Sequence, residues 1–82
     1  MVRVRVFATL RSIIGKNEVE LQASTVGELL ERIYSKYPKM KKELEKGVVI
    51  LVNGKNIEHL EKLNTKLKHE DVVSIFPPVG GG

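Results

Sequence analysis

The sequence predicts an α+β fold, in which a mixed sheet of four to five strands has one main helix packed across one face. Three patterns indicate this class. Valine alternates with arginine at the start of the chain, a central stretch repeats apolar residues at helical spacing, and a run of β-branched residues comes close to the end. Because one helix cannot cover both faces of a sheet, the simplest arrangement packs it across one of them.

The first two strands are predicted to form a hairpin. In residues 2–8, valine and alanine alternate with arginine and phenylalanine, which is the period of a half-buried strand. The stretch RSIIGKN, residues 11–17, carries glycine and asparagine and predicts a turn. Apolar residues alternate again in residues 19–23, so this run is expected to return antiparallel to the first strand.

A helix is predicted to begin after Thr25. The sequence TVGE is a capping box, in which the Thr25 hydroxyl accepts from an early helical amide and Glu28 reaches back. Pro38 disfavours a helical conformation in the residue before it and ends the helix. Met40 and Leu44 suggest one or two weaker helical turns beyond it. Apolar residues at helical spacing indicate one apolar stripe along this helix: Val26, Leu29, Leu30, Ile33 and Tyr37.

The second half of the chain predicts two more strands with an irregular connection. VVILVN, residues 48–53, reads as a strand covered on much of both faces, and NGK as the turn that ends it. Residues 57–71 are expected to cross the open end of the core with a short strand and helical turns. VVSIF, residues 72–76, is the last strand. This order is that of the β-grasp, or ubiquitin-like, fold, in which the first and last strands are parallel neighbours.

Parity along these two strands predicts an aromatic patch. If the valines of residues 2–6 face the helix, Phe7 faces away from it, and Phe76 does so in the last strand. Parallel neighbours would bring both rings to the uncovered face, where exposed aromatic side chains tend to mark interaction surfaces. The alternative is that arginine or lysine stems, or the irregular segment, cover one ring.

The chain is predicted to divide into a domain, residues 1–76, and a tail, residues 77–82. Pro77 and Pro78 donate no backbone hydrogen bond and hold the chain extended. Glycines lack a Cβ, so the walls of a partner can close on their backbone. From Pro78 to Gly82 the tail can reach roughly 15–18 Å. We expect it to thread into partners through Pro77, Pro78, Val79, Gly80 and Gly81, and to present the Gly82 carboxylate. The alternative is a frayed end.

Composition excludes several functions. The 82 residues include no cysteine, which excludes disulfides, thiolate metal sites and a cysteine nucleophile. No apolar run approaches the ~20 residues that span a bilayer and no signal peptide is evident, so we expect a cytoplasmic protein. His59 and His69 have no neighbouring ligand pattern, so no metal site is predicted. Much of the net charge of +4 lies in the lysine-rich stretch 36–46. It favours acidic protein partners over nucleic acid.

Three stretches of the chain carry a resemblance: FATLRSIIG at residues 7–15, VNGKNI at 52–57 and TKLKHEDVVSIFPPVGGG at 65–82. They resemble the MoaD family, the molybdopterin synthase small subunits within the ThiS/MoaD superfamily of ubiquitin-like sulfur carriers. The resemblance implies that Arg11 lies at the partner interface; the alternative is a solvated turn residue. Together the three stretches span nearly the whole chain, and the ending FPPVxGG is the most specific of them. Gly80, where many members carry another small or polar residue, departs from the pattern and leaves the branch of the superfamily open.

The resemblance implies a carrier whose catalysis takes place on partner proteins. An adenylyltransferase of the ubiquitin-E1 type, similar to MoeB, would activate the Gly82 carboxylate, which a sulfur donor would convert to a thiocarboxylate. The large subunit, similar to MoaE, would receive the tail and pass the sulfur to a pterin precursor. No cofactor is expected on this chain, since the resemblance assigns ATP and Mg²⁺ to the activating enzyme.

Four other readings stay open. The same activated terminus could serve tRNA thiolation or be joined to lysines of other proteins. A β-grasp interaction module without carrier chemistry would tolerate loss of Gly81 and Gly82, whereas a carrier would not. A basic RNA-binding domain would show salt-sensitive affinity that survives the same deletion.

Overall fold

The computed structural model describes residues 1–77. Within them a five-stranded mixed sheet has the order β2-β1-β5-β3-β4. The strands are β1 (Val2–Val6), β2 (Glu18–Leu21), β3 (Val49–Val52), β4 (Lys55–Asn56) and β5 (Val72–Phe76). The helices are α1 (Thr9–Ile14), α2 (Val26–Lys36) and α3 (Pro38–Glu45), and two 3₁₀ turns span Ile57–His59 and Lys62–Asn64.

The first and last strands lie side by side at the centre of the sheet. β1 and β5 are parallel, with Val4 opposite Val73 and Val6 opposite Ile75. β2 adds antiparallel to β1, and β3 adds antiparallel to β5 on the other side. The predicted parallel pair is therefore confirmed, and the C-terminal strand is hydrogen-bonded along both of its edges.

Alternation separates the sheet into two faces. The covered face packs against the helices and is buried; its central residues are Val4, Val6, Ile50, Val52, Val73 and Ile75. The open face carries the intervening residues Arg3, Arg5, Val49, Leu51, Val72, Ser74 and Phe76, all exposed or half-buried. Since side chains on a strand point alternately to opposite faces, the same three strands build both the core and a surface.

α2 is the main helix predicted from the sequence. The Thr25 hydroxyl accepts from the Glu28 amide at 3.1 Å, which confirms the predicted cap. The Glu28 carboxylate reaches back one residue further than expected, to the Ser24 amide at 2.8 Å. Leu29 and Ile33 are completely buried against the covered face. The cap therefore begins the helix where its apolar stripe meets the sheet.

The predicted turn at residues 11–17 is wrong. Thr9–Ile14 forms the helix α1, which buries Leu10 and Ile14 and ends at Gly15 in the left-handed conformation (φ 82°). β1 also stops before Ala8, which has φ 53°. The core has room for a second amphipathic turn at this end of the sheet, and burial of its two apolar side chains favours the helix over an open hairpin loop.

One further expectation needed correction. β3 is not covered on both faces, because Ile50 and Val52 are buried whereas Val49 is 38% exposed. The one or two helical turns predicted after Pro38 are confirmed as the helix α3, which buries Met40 and Leu44. Within residues 57–71 the predicted helical turns are confirmed by the two 3₁₀ turns, whereas the short strand β4 lies before that stretch, at Lys55–Asn56. No helix within residues 1–77 is both long enough and apolar enough to cross a membrane.

Candidate functional site: the base of the C-terminal tail

The site is centred on two aromatic rings at the end of β5. The rings of Phe7 and Phe76 stack with centroids 4.3 Å apart and planes 8° from parallel. Both side chains are half-buried, so each keeps part of its surface for a partner. The predicted meeting of the two rings is confirmed. Offset-stacked aromatic pairs add about 0.5–1.5 kcal/mol beyond the area they bury, which favours one fixed arrangement at this point.

Two arginines flank the Phe7 ring. The guanidinium carbons of Arg5 and Arg11 each lie 5.6 Å from its centroid, within the range of cation–π attraction. The Arg11 Nε also donates to the Val6 carbonyl at 3.2 Å, so its position is set from two directions. The alternative that arginine stems cover one ring therefore also holds in part, and it coexists with the aromatic patch.

α1 explains why Arg11 is in reach. β1 ends at Val6, the chain turns at Ala8, and the helix then carries Arg11 back over Phe7. One of the two expectations was that Arg11 is a solvated turn residue. In α1 its side chain instead contacts Phe7 and the Val6 carbonyl. The sequence held a usable signal, because Leu10, Ile13 and Ile14 have helical spacing and Gly15 is a typical residue after a helix end.

The surroundings of the stack are mixed in character. Val49 lies opposite Phe76 on the neighbouring strand and extends the apolar surface. Farther along the open face, Glu18 pairs with Arg3 at 3.2 Å and with Arg5 at 4.0 Å. Such exposed pairs contribute less than ~1 kcal/mol each, so they orient side chains more than they stabilise the fold. An apolar centre with a charged rim is the usual anatomy of a protein interface.

The tail leaves from the edge of this surface. Pro77 is half-buried and directly follows Phe76, and its ring nitrogen has no hydrogen to continue the ladder. The remaining residues of the predicted site, Pro78, Val79, Gly80, Gly81 and Gly82, lie outside the described residues. Their roles in threading and in carrying the reactive carboxylate stay predictions.

Residues 1–77 contain no group of three or more histidine, aspartate or glutamate side chains placed to hold a metal ion. His69 instead contacts the N-terminal amine of Met1. No buried side-chain polar atom in this part of the chain is left without a hydrogen-bond partner.

Comparison with known proteins identifies the relatives of this chain. The sequence pattern of the ThiS family matches residues 4–82. The molybdopterin synthase sulfur carrier subunit of Haemophilus influenzae is 31% identical over 84 residues, and the match covers 100% of both chains. The small archaeal modifier protein 1 of Methanosarcina acetivorans is 40% identical, with a TM-score of 0.87 over 99% of this chain and 95% of that one.

A second similar structure is a chain from the protein–protein complex of subunits 1 and 2 of molybdopterin-converting factor from Helicobacter pylori. It is 32% identical with a TM-score of 0.69, covering 99% of this chain and 97% of that one. Solved relatives thus include one bound to a partner subunit. The sheet order, the helix across one face and the family match lead to one conclusion: the chain belongs to the ThiS family, within the ThiS/MoaD superfamily of ubiquitin-like sulfur carriers.

Proposed function

We propose that this protein is the sulfur carrier subunit of a molybdopterin synthase, with the Gly82 carboxylate as the group that carries sulfur. The observation that carries the proposal is the base of the tail. β5 is paired on both edges and ends in the Phe7–Phe76 stack, so Pro77 starts the tail from a rigid point beside an interaction surface. Likeness to the Haemophilus sulfur carrier subunit over its full length supports the same function.

The chemistry requires activation because a carboxylate is a poor acceptor of a nucleophile. A Gly82 carboxylate oxygen attacks the α-phosphorus of ATP, pyrophosphate leaves, and an acyl-adenylate forms. A sulfur nucleophile from a donor then attacks the acyl carbon and AMP leaves with the oxygen, which yields a thiocarboxylate. The sulfur must come from a donor, since this sequence has no cysteine. A terminal glycine leaves the acyl carbon open to both attacks.

Two partners follow from this scheme. An E1-like adenylyltransferase, similar to MoeB, would hold ATP and Mg²⁺ and supply the catalytic residues for activation. A large synthase subunit, similar to MoaE, would accept the loaded tail. We assign Phe7, Arg11 and Phe76 to the interface with these partners, because they surround the tail base and are partly accessible. The complex of the two Helicobacter subunits supports a partner of the second kind.

Protein modification is the second candidate function. The likeness to the Methanosarcina modifier protein, at 40% identity, favours it. Activation of Gly82 would be the same, but a lysine amine would attack the acyl carbon of the acyl-adenylate in place of the sulfur nucleophile. AMP would leave with the oxygen, and an isopeptide bond would form. Molybdopterin synthesis and protein modification would use the same activated Gly82 and would differ only in the molecule that receives its sulfur or its acyl group.

The decisive experiment is a loading reaction followed by intact mass spectrometry. The protein is incubated with ATP, a sulfide source and the activating enzyme of the same host. We expect a mass gain equal to one oxygen-to-sulfur exchange, localised to Gly82 by fragmentation. A truncated chain lacking Gly81 and Gly82 is the matched control, which should keep its fold and show no exchange.

An unchanged mass with an enzyme that demonstrably adenylates another carrier would contradict the proposal. The loaded protein is then mixed with the host's large synthase subunit and cyclic pyranopterin monophosphate. Formation of molybdopterin supports the synthase role. If isopeptide-linked products appear instead and no molybdopterin forms, the modifier function replaces it.

A further inference from the structure

A second surface lies on the helical side of the molecule, and none of its lining residues belongs to the Phe7–Phe76 site. A groove of about 700 Å³ runs beside α3, and a smaller hollow of about 240 Å³ adjoins it at the junction of α2 and α3. Both are lined by Ile13, Pro38 and Lys39. We call this surface the α3 groove, completed by Lys41, Lys42, Glu43 and Glu45. It faces away from the open face because α3 packs on the covered face.

The charge of the α3 groove is positive. Its three lysines, Lys39, Lys41 and Lys42, are all exposed. Of its two carboxylates, Glu43 is paired with Lys46 at 3.2 Å. Three ammonium groups therefore face one carboxylate that has no salt bridge among the described residues, Glu45. A surface of this kind attracts negative groups and speeds their association at low ionic strength.

The centre of the α3 groove is apolar. Ile13 is half-buried and packs against the hydrophobic core from α1, and the exposed Pro38 ring stands at the start of α3. These two side chains line the α3 groove together with the lysines, and both keep part of their apolar area exposed. An interface anchor is commonly one apolar side chain set in a pocket that charged groups surround.

These features favour a protein ligand over a nucleic acid. A phosphate backbone would gain nothing from the apolar area of Ile13 and Pro38. The nearby Tyr37 ring, which a base could use for stacking, is approached by the Lys36 ammonium at 5.7 Å from its centroid. An acidic peptide can place carboxylates on the lysines and an apolar side chain on Ile13.

We propose that the α3 groove is a docking surface for an acidic segment of a partner protein, with one apolar side chain of that segment on Ile13 and Pro38. This interaction goes beyond the sulfur-carrier function and needs no residue of the tail. The α3 groove shares no lining residue with the Phe7–Phe76 stack, so the two surfaces are distinct, although α1 supplies Ile13 to one and Arg11 to the other.

The test is a titration of the isotope-labelled full chain with synthetic peptides, followed by amide chemical shifts. The probe peptide alternates glutamate pairs with leucine; one control replaces glutamate with glutamine, and a second replaces leucine with serine. We expect shifts centred on Ile13, Lys39 and Lys42. Exposed charge pairs are worth up to ~1 kcal/mol each, so Lys39→Glu/Lys42→Glu should weaken binding by about tenfold.

Lys55→Glu/Lys66→Glu is the matched control, since it changes the net charge equally at exposed positions outside the α3 groove. It should weaken binding by much less. Equal weakening by both variants, or equal binding of the leucine and serine peptides, would overturn the proposal. Tighter binding of a single-stranded RNA oligonucleotide than of the probe peptide at the same amides would also overturn it and assign the α3 groove to nucleic acid.

Discussion

The two faces of the sheet use the same strands for different purposes. On the covered face, Val4, Val73 and Ile75 are completely buried, and every side chain contributes to the core. On the open face, the neighbours of these residues in sequence are charged, small or aromatic, and all keep some exposure. Ile75 and Phe76 are adjacent in β5 but point to opposite faces. Ile75 belongs to the core, whereas Phe76 lies on the surface where a partner could bind.

This difference shows that one strand can supply stability from one face and a surface for binding from the other. A central strand paired on both edges tolerates a functional face because its other face already supplies the burial energy. The Phe7–Phe76 stack is held by that strand, so it needs little support of its own. Four changes would break or sharpen this contrast.

The largest expected effect is that of Ile75→Ala. Ile75 is fully buried between β1, β3 and the helices, so the change leaves a cavity and should lower the free energy of unfolding by about 2–5 kcal/mol. Chemical denaturation monitored by circular dichroism measures it. A loss below that for Phe76→Ala would contradict the division between the two faces.

Phe76→Ala should show the opposite balance. Removing this ring abolishes the stack with Phe7, which costs stability by about 0.5–1.5 kcal/mol. If Phe76 anchors the activating enzyme, its loss should weaken that complex by about 2 kcal/mol, or roughly thirtyfold in Kd. Calorimetric titration of the folded variant with the enzyme measures this. Ser74→Ala, on the same face, is the control and should leave the affinity nearly unchanged.

Thr25→Ala tests the helix on the covered face. The hydroxyl that accepts from the Glu28 amide disappears, which should cost about 1 kcal/mol of unfolding free energy. Thr25→Ser keeps an accepting oxygen and should recover most of the loss. If serine and alanine destabilise equally, the methyl group of Thr25 and not its cap is responsible.

The smallest expected effect comes from the polar end of β5. Burial is the largest single influence on the pKa of Asp71, and it acts to raise that pKa. Hydrogen bonds from the Asn53 side chain and the Lys68 amide, together with the Lys68 charge, outweigh burial, so the pKa of Asp71 is lowered. A depressed carboxyl pKa stabilises the fold above the unfolded value of ~3.9, and this contribution is lost as the pH falls through the folded value.

Asp71→Asn should therefore lower stability slightly near neutral pH, and the difference from the natural chain should vanish in acid. Urea unfolding at a neutral and an acidic pH measures both. A difference that grows on acidification would contradict the stated direction of the pKa shift.

Local patterns predicted most elements of this fold but not all of them. The cap at Thr25, the strand in residues 72–76 and the parity of Phe7 and Phe76 depend on spacing alone, and each was confirmed. The helix α1 was missed because six residues with a central arginine and a final glycine fit a turn equally well. Burial of Leu10 and Ile14 decided between them, and burial is a property of the assembled core.

The candidate site divides in the same way. Alternation along each strand predicted that Phe7 and Phe76 face away from the helix. The predicted fold made their two strands neighbours, which placed both rings on one surface. The position of Arg11 over Phe7, and the apolar centre that Ile13 and Pro38 give to the lysines of α3, depend on how helices pack.

The sequence by itself determined the order of the main strands, the start of the main helix, the lack of any sulfur of its own beyond methionine, and the glycines of the tail. Only the tertiary structure decided that a short apolar segment becomes α1, that β3 leaves one face open, and which charges surround each surface. The reason is physical. Periodicity and turn chemistry act between near neighbours in the chain, whereas burial and charge proximity depend on residues that folding alone brings together.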